Sequence, residues 1–121
     1  MKILLVEDDK FFREFYAFKL KEKKIDVGQA GDGEEALALI PVFKPDLILL
    51  DLIMPKKDGF ELLKDMSADA EMSKIPVLVF STLGQQKDID RAKQLGAKGY
   101  VNKSFFDFDN LLQMILQLIK K

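Results

Sequence analysis

Three four-residue runs, ILLV (3–6), LILL (47–50) and VLVF (77–80), are apolar at every position. A strand with one face in water alternates apolar and polar residues. A run that does not alternate is covered on both faces, as strands of a parallel sheet are. Two further segments, 25–30 (IDVGQA) and 99–102 (GYVN), also read as strands. Between the runs lie stretches of helical periodicity at 10–23, 34–40, 59–66, 86–95 and 107–119. Pro41 is expected to end or kink the second helix, and Gly96 to cap the fourth. Five strand–helix units without repeat or linker predict an α/β fold, a doubly wound five-stranded parallel sheet with helices on both faces and right-handed crossovers. At 121 residues, a single domain over 1–121 with no output domain attached is expected.

Composition removes several chemistries. The chain has no histidine and no cysteine. An imidazole general-base triad, a His-ligated zinc, a thiolate metal site and a phosphohistidine on this chain are therefore excluded. Nineteen basic residues against twenty acidic ones give a net charge of −1. That balance offers no bulk attraction to nucleic acid. The opening run, ILLV, is too short for a signal segment or a membrane span, so a cytoplasmic chain without membrane contact is expected.

In such a sheet, ligands bind beyond the carboxyl ends of the strands. At that edge the sequence puts Glu7-Asp8-Asp9, Asp51, Ser81-Thr82 and Lys103. Asp51 is the most demanding, because in ILLDLIMP (48–55) it follows an entirely apolar strand. An unpaired charge there would be expensive. Carboxylates crowded together need compensation, and a hard divalent cation, Mg²⁺ or Mn²⁺, suits an all-oxygen set. Lys103 adds a mobile positive charge and Ser81 a hydroxyl donor. No glycine-rich phosphate loop follows the first strand, where VEDDKFF stands, and no G-x-S-x-G elbow is present. The set can hold a metal, offer Asp51 as a nucleophile to phosphorus and neutralise the charge that results. An acyl phosphate on Asp51 fits all three.

Five segments carry a resemblance: ILLVEDD (3–9), GDGEEAL (31–37), PDLILLDLIMPKKDGFELL (45–63), IPVLVFST (75–82) and LGAKGYVNKSF (95–105). In this order and spacing the chain resembles a CheY-like response-regulator receiver domain of two-component signal transduction over essentially its whole length. The resemblance implies a flavodoxin-like strand order, 2-1-3-4-5. It implies Asp51 as phosphoacceptor, Asp8 binding Mg²⁺ directly, Glu7 holding it mainly through water, and the Ile53 backbone carbonyl as a further ligand. Lys103 and Ser81 would contact the phosphoryl group, Ile53 and Thr82 would supply loop contacts, and Ser81 and Tyr100 would switch. The donor would be a phosphohistidine on a sensor histidine kinase or a histidine phosphotransfer protein, or a small acyl phosphate. Such a domain catalyses its own phosphorylation and slow dephosphorylation and does not turn over a separate substrate. Its output is a protein–protein contact, with the face of helix 4, strand 5 and helix 5 also a candidate homodimer surface.

The sequence departs from the family in places. Ser104 follows Lys103, where a proline after a cis bond is usual; either strain is held there or the bond is trans and Lys103 sits differently. Ile53 and Leu83 are bulky where members vary, which predicts a slowly decaying phosphorylated state. Helix 1 carries Phe12, Tyr16 and Leu20 on one stripe and Phe11, Phe15 and Phe18 on a second. Position 18 is usually polar in the family and position 19, here Lys19, often apolar. The helix is therefore rotated, or it exposes a partner-binding patch. In helix 5, Met114 and Leu116 flank a core stripe of Leu111, Leu112, Ile115, Leu118 and Ile119. Asp9 is expected to cap helix 1 and Gly59 to serve a tight turn. Two other readings compete. One is a pseudo-receiver that binds partners without phosphate. The other is a haloacid-dehalogenase-like phosphohydrolase, which would need an acid where Ile53 stands and its nucleophile after the first strand.

Overall fold

The computed structural model describes residues 1–104 and 106–120; Phe105, the last residue of the LGAKGYVNKSF segment, lies outside the described residues. Five strands, β1 (Lys2–Val6), β2 (Asp26–Ala30), β3 (Leu47–Leu50), β4 (Val77–Ser81) and β5 (Gly99–Asn102), form one parallel sheet in the order β2-β1-β3-β4-β5. Five helices connect and follow them: α1 (Lys10–Glu22), α2 (Gly33–Phe43), α3 (Gly59–Ser67), α4 (Gln86–Gln94) and α5 (Phe108–Lys120).

The unbroken apolar runs follow from two cores, one on each face. Alternate residues of a strand point to opposite faces. Leu4, Val6, Ile48, Leu50, Val77 and Val79 pack under α2, α3 and α4 with Ala36, Ile40, Leu62, Leu63 and Ala92. Ile3, Leu5, Leu47, Leu49, Leu78 and Phe80 pack under α1 and α5 with Tyr16, Leu20, Leu111 and Ile115. Every residue of β3 is fully buried, so nothing polar is tolerated before Asp51.

Capping chemistry sets where the helices begin. The carboxylates of Asp9, Asp32 and Asp58 accept from the backbone N–H groups of Phe12, Glu35 and Glu61. Glu61 returns a bond to the Asp58 N–H, closing a capping box. Gly96 follows α4 with φ +111°, a conformation that favours glycine, as expected of a cap.

Two local expectations are corrected. Pro41 does not end α2 at residue 40: the helix continues to Phe43 and stops at Lys44, whose φ of 54° is left-handed. Pro41 lies in the last turn, where its missing N–H removes one bond, and the Lys44 N–H still reaches the Ile40 carbonyl at 2.9 Å. Gly59 is the first residue of α3 and not a tight turn. A Cβ there would lie 2.6 Å from the Asp51 carbonyl oxygen and 2.7 Å from Leu52 Cα, so glycine is required for close approach to the strand end.

Helix α1 is not rotated. Tyr16, Ala17 and Leu20 are buried, while Phe11, Phe15 and Phe18 are 75 %, 45 % and 62 % exposed. Lys19 lies between helices, its ammonium 5.6 Å from the Phe15 ring centroid and 4.9 Å from that of Phe108. In α5, Leu111 and Ile115 are buried, and Leu112, Met114, Leu118 and Ile119 pack against the same core. Among the described residues, no helix is long and apolar enough to cross a membrane.

Candidate functional site

Sheet register assembles the polar edge. Val6 pairs with Leu50, so Glu7 and Asp51 emerge side by side from β1 and β3. Ser81 pairs with Asn102, placing Lys103 one residue beyond β5. The ladder extends through the site itself. The N–H groups of Glu7, Asp51 and Lys103 donate to the carbonyls of Ala30, Val6 and Ser81 at 3.0, 3.0 and 2.9 Å. These backbones are therefore held by the sheet and not by a mobile loop.

The Lys103 ammonium sits between two carboxylates, bonded to Glu7 Oε1 and lying 3.3 Å from Asp51 Oδ2. All three side chains are at least nine-tenths buried. Glu7 Oε2 accepts from the Asp9 N–H at 3.1 Å. Asp51 Oδ1 receives a longer bond, 3.4 Å, from the Ile53 N–H. Asp8 is solvent-exposed beside them. One carboxylate oxygen from each of Glu7, Asp8 and Asp51 falls within 4.8 Å of the other two. Three carboxylates on a partly open edge suit a hard divalent cation with water in its remaining positions.

Burial dominates the electrostatics of Glu7. Desolvation pushes its pKa up from 4.5 to about 7; the Lys103 and Asp9 bonds oppose the rise and the Asp51 charge adds to it. A cation at the edge favours the ionised carboxylate and opposes that rise.

The remaining expected residues lie around this centre. Ser81 is fully buried at the end of β4, and its Oγ accepts from the Leu83 N–H at 3.3 Å. Thr82 is exposed in the following loop, and Ile53, 53 % exposed, stands beyond β3. Tyr100 on β5 is half-buried, and its hydroxyl donates to the Leu83 carbonyl, tying the edge strand to the loop after Ser81. The Lys103–Ser104 bond is trans, yet Lys103 still reaches Asp51.

Sequence reasoning missed Arg13. From α1 its guanidinium donates to the Glu7 carbonyl at 2.9 Å and its Nε to Gln29 Oε1 at 3.3 Å. It therefore braces the backbone of the acidic turn against β2. Its sequence signal is a charged residue in helical register with Tyr16, Ala17 and Leu20, the buried face of α1.

A doubly wound parallel sheet with three carboxylates, a lysine and a buried serine at its carboxyl edge defines the CheY-like class. The chain belongs to the response regulator receiver domain family, which it matches over residues 3–116. It is 35 % identical over 120 residues to the DNA-binding dual master transcriptional regulator RpaA of a Synechocystis strain, covering 99 % of this chain and 49 % of that protein. The chain spans about half the length of the curated relatives it matches. Among solved structures, the receiver domain of the Francisella response regulator 1452 superposes with a TM-score of 0.90 at 34 % identity, covering 98 % of this chain and 96 % of that one. The BeF3-activated N-terminal receiver domain of Klebsiella pneumoniae RstA matches with a TM-score of 0.87 at 30 % identity, covering 98 % of each chain.

Proposed function

We propose that this receiver is a phosphorylation switch: Asp51 accepts a phosphoryl group in a Mg²⁺-dependent step, from a histidine kinase or phosphotransfer protein. The observation that carries this reading is the buried Lys103 ammonium shared by Glu7 and Asp51 beside the open Asp8 edge. An Asp51 oxygen forms the new bond to phosphorus while the bond to the donor's imidazole nitrogen breaks, and its electron pair leaves with the imidazole. Glu7, Asp8 and Asp51, with the Ile53 carbonyl, would hold the metal, which supplies charge neutralisation at phosphorus. Lys103 would exchange its bond to Glu7 for one to a phosphoryl oxygen. Ser81 and Thr82 would take the other oxygens.

The switch follows from added charge. A phosphoryl group brings about −1.5 to −2 charge and three acceptors. Ser81 now accepts from the Leu83 N–H, and Tyr100 donates to the Leu83 carbonyl. Drawing Ser81 toward the phosphoryl group would release both, and with them the surface of α4, β5 and α5. Phosphate thus biases an existing equilibrium. The output would be a contact with another protein or a second copy on that face, with the exposed phenylalanines of α1 as another contact surface. The similar Klebsiella receiver domain is BeF3-activated, and a beryllofluoride has the shape of a phosphoryl group, which supports a phosphorylation switch.

The test is intact mass after incubation with acetyl phosphate and Mg²⁺. One added phosphoryl group that disappears in Asp51→Asn and in EDTA is the expected result. No gain in a folded protein would leave the phosphate-independent interaction module as the reading.

A further inference from the structure

The Lys103 ammonium has partners that the carboxylate chemistry does not use. It lies 5.3 Å from the centroid of the Phe12 ring and 5.9 Å from that of Phe80. Phe80 is fixed on β4 and nearly fully buried. Phe12 is 39 % exposed, yet it is not simply a member of the outer stripe formed by Phe11, Phe15 and Phe18. Its backbone is anchored by the bond from its N–H to the Asp9 carboxylate at 3.1 Å. Its ring stacks on Tyr16, one helical turn later, with centroids 5.9 Å apart and planes 9° apart. Tyr16 in turn meets Phe80 edge-on at 5.2 Å. Helix cap and aromatic stack together hold the Phe12 ring over the lysine.

The geometry points to Phe12 as a positioning residue for Lys103 in phosphoryl transfer, an inference that rests on the function proposed above. A lysine carries its charge on a flexible four-carbon stem, and an ammonium is drawn to the negative face of an aromatic ring. Phe12 and Phe80 restrict that stem to the site, and Phe12 covers the ammonium from bulk water. The attraction of a ring face is broad, whereas a carboxylate bond is directional. Lys103 can therefore move from Glu7 to a phosphoryl oxygen without leaving the rings. Phe12 touches neither phosphorus nor metal, and acts only through the lysine.

The experiment compares wild type, Phe12→Leu and Phe12→Trp in the full chain. The first readout is the Lys103 ε-methylene resonance by NMR, which needs no phosphorylation. A ring above the stem shifts it upfield; the shift is expected to shrink in Phe12→Leu and return in Phe12→Trp. The second readout is the rate of phosphoryl gain from acetyl phosphate with Mg²⁺. It is expected to fall about 3- to 30-fold in Phe12→Leu and recover in Phe12→Trp, the range expected for a partly desolvated cation–π contact. An unmoved Lys103 resonance in Phe12→Leu overturns the inference, as does a moved resonance with an unchanged rate. A wild-type protein that gains no phosphoryl group refutes the functional reading and, with it, the role of Phe12 in transfer. The resonance then still reports separately whether the aromatic clamp exists.

Discussion

Glu7→Gln should abolish most of the pH dependence of stability in the neutral range. Glu7 is 3 % exposed, and burial pushes its pKa from 4.5 to about 7 in the folded protein. Folding therefore favours the protonated acid. The stabilisation is complete below pH 4.5 and is lost as pH rises through about 7, where the buried group must ionise. A shift of that size is worth roughly 3 kcal/mol in full, of which about 2 kcal/mol falls between pH 5.5 and 7.5. The window is unusually clear, because the chain has no histidine or cysteine to titrate there. Urea unfolding in EDTA across these pH values measures it. Wild type should lose about 2 kcal/mol as pH rises, while Glu7→Gln should vary by less than about 0.5 kcal/mol. Saturating Mg²⁺ should flatten the wild-type curve by favouring the carboxylate. A flat wild-type curve in EDTA, stability rising with pH, or an undiminished slope in Glu7→Gln would each refute the reasoning.

Two further outcomes follow from the geometry. In Gly59→Ala the new Cβ meets two backbone atoms at 2.6 and 2.7 Å, so the start of α3 must shift away from Asp51. Urea unfolding should show a loss of about 1–3 kcal/mol, typical of overpacking against groups that cannot yield. Ile53 and Leu83 lie two residues beyond Asp51 and Ser81, and their N–H groups donate to those side chains. Replacing each by asparagine should speed loss of phosphate from the purified phosphoprotein, read by intact mass over time; unchanged or slower loss would remove their role as shields.

The parts of this molecule that could be read from sequence are those fixed by pattern and register. β3 needs four apolar residues because both faces are covered, and the same alternation delivers Asp51 to the edge beside Glu7. Cap residues such as Asp9 were legible because the bond is local. What stayed hidden depends on contacts between distant segments. Arg13 reaches the Glu7 carbonyl only once α1 lies against β2. Phe12 meets Lys103 across 91 positions of sequence; helical spacing sets it on the stripe of Tyr16 and Leu20 but does not show what that stripe meets. Gly59 is compelled by the Asp51 carbonyl behind it, a close approach invisible in a D-G pair that also suits a turn. Pro41 misled because its penalty depends on its place in the helix, and the last turn has few bonds left to lose.

The central claim is that the phosphoryl group is carried as an acyl phosphate on Asp51. Its most direct test is borohydride reduction of the acetyl-phosphate-treated protein, followed by peptide mass spectrometry. Reduction converts an aspartyl phosphate to homoserine while leaving serine and threonine phosphates intact. The account predicts homoserine at position 51, dependent on Mg²⁺. Phosphate that survives reduction on Ser81 or Thr82, or an unmodified Asp51 in a protein that had gained the phosphoryl mass, would contradict it.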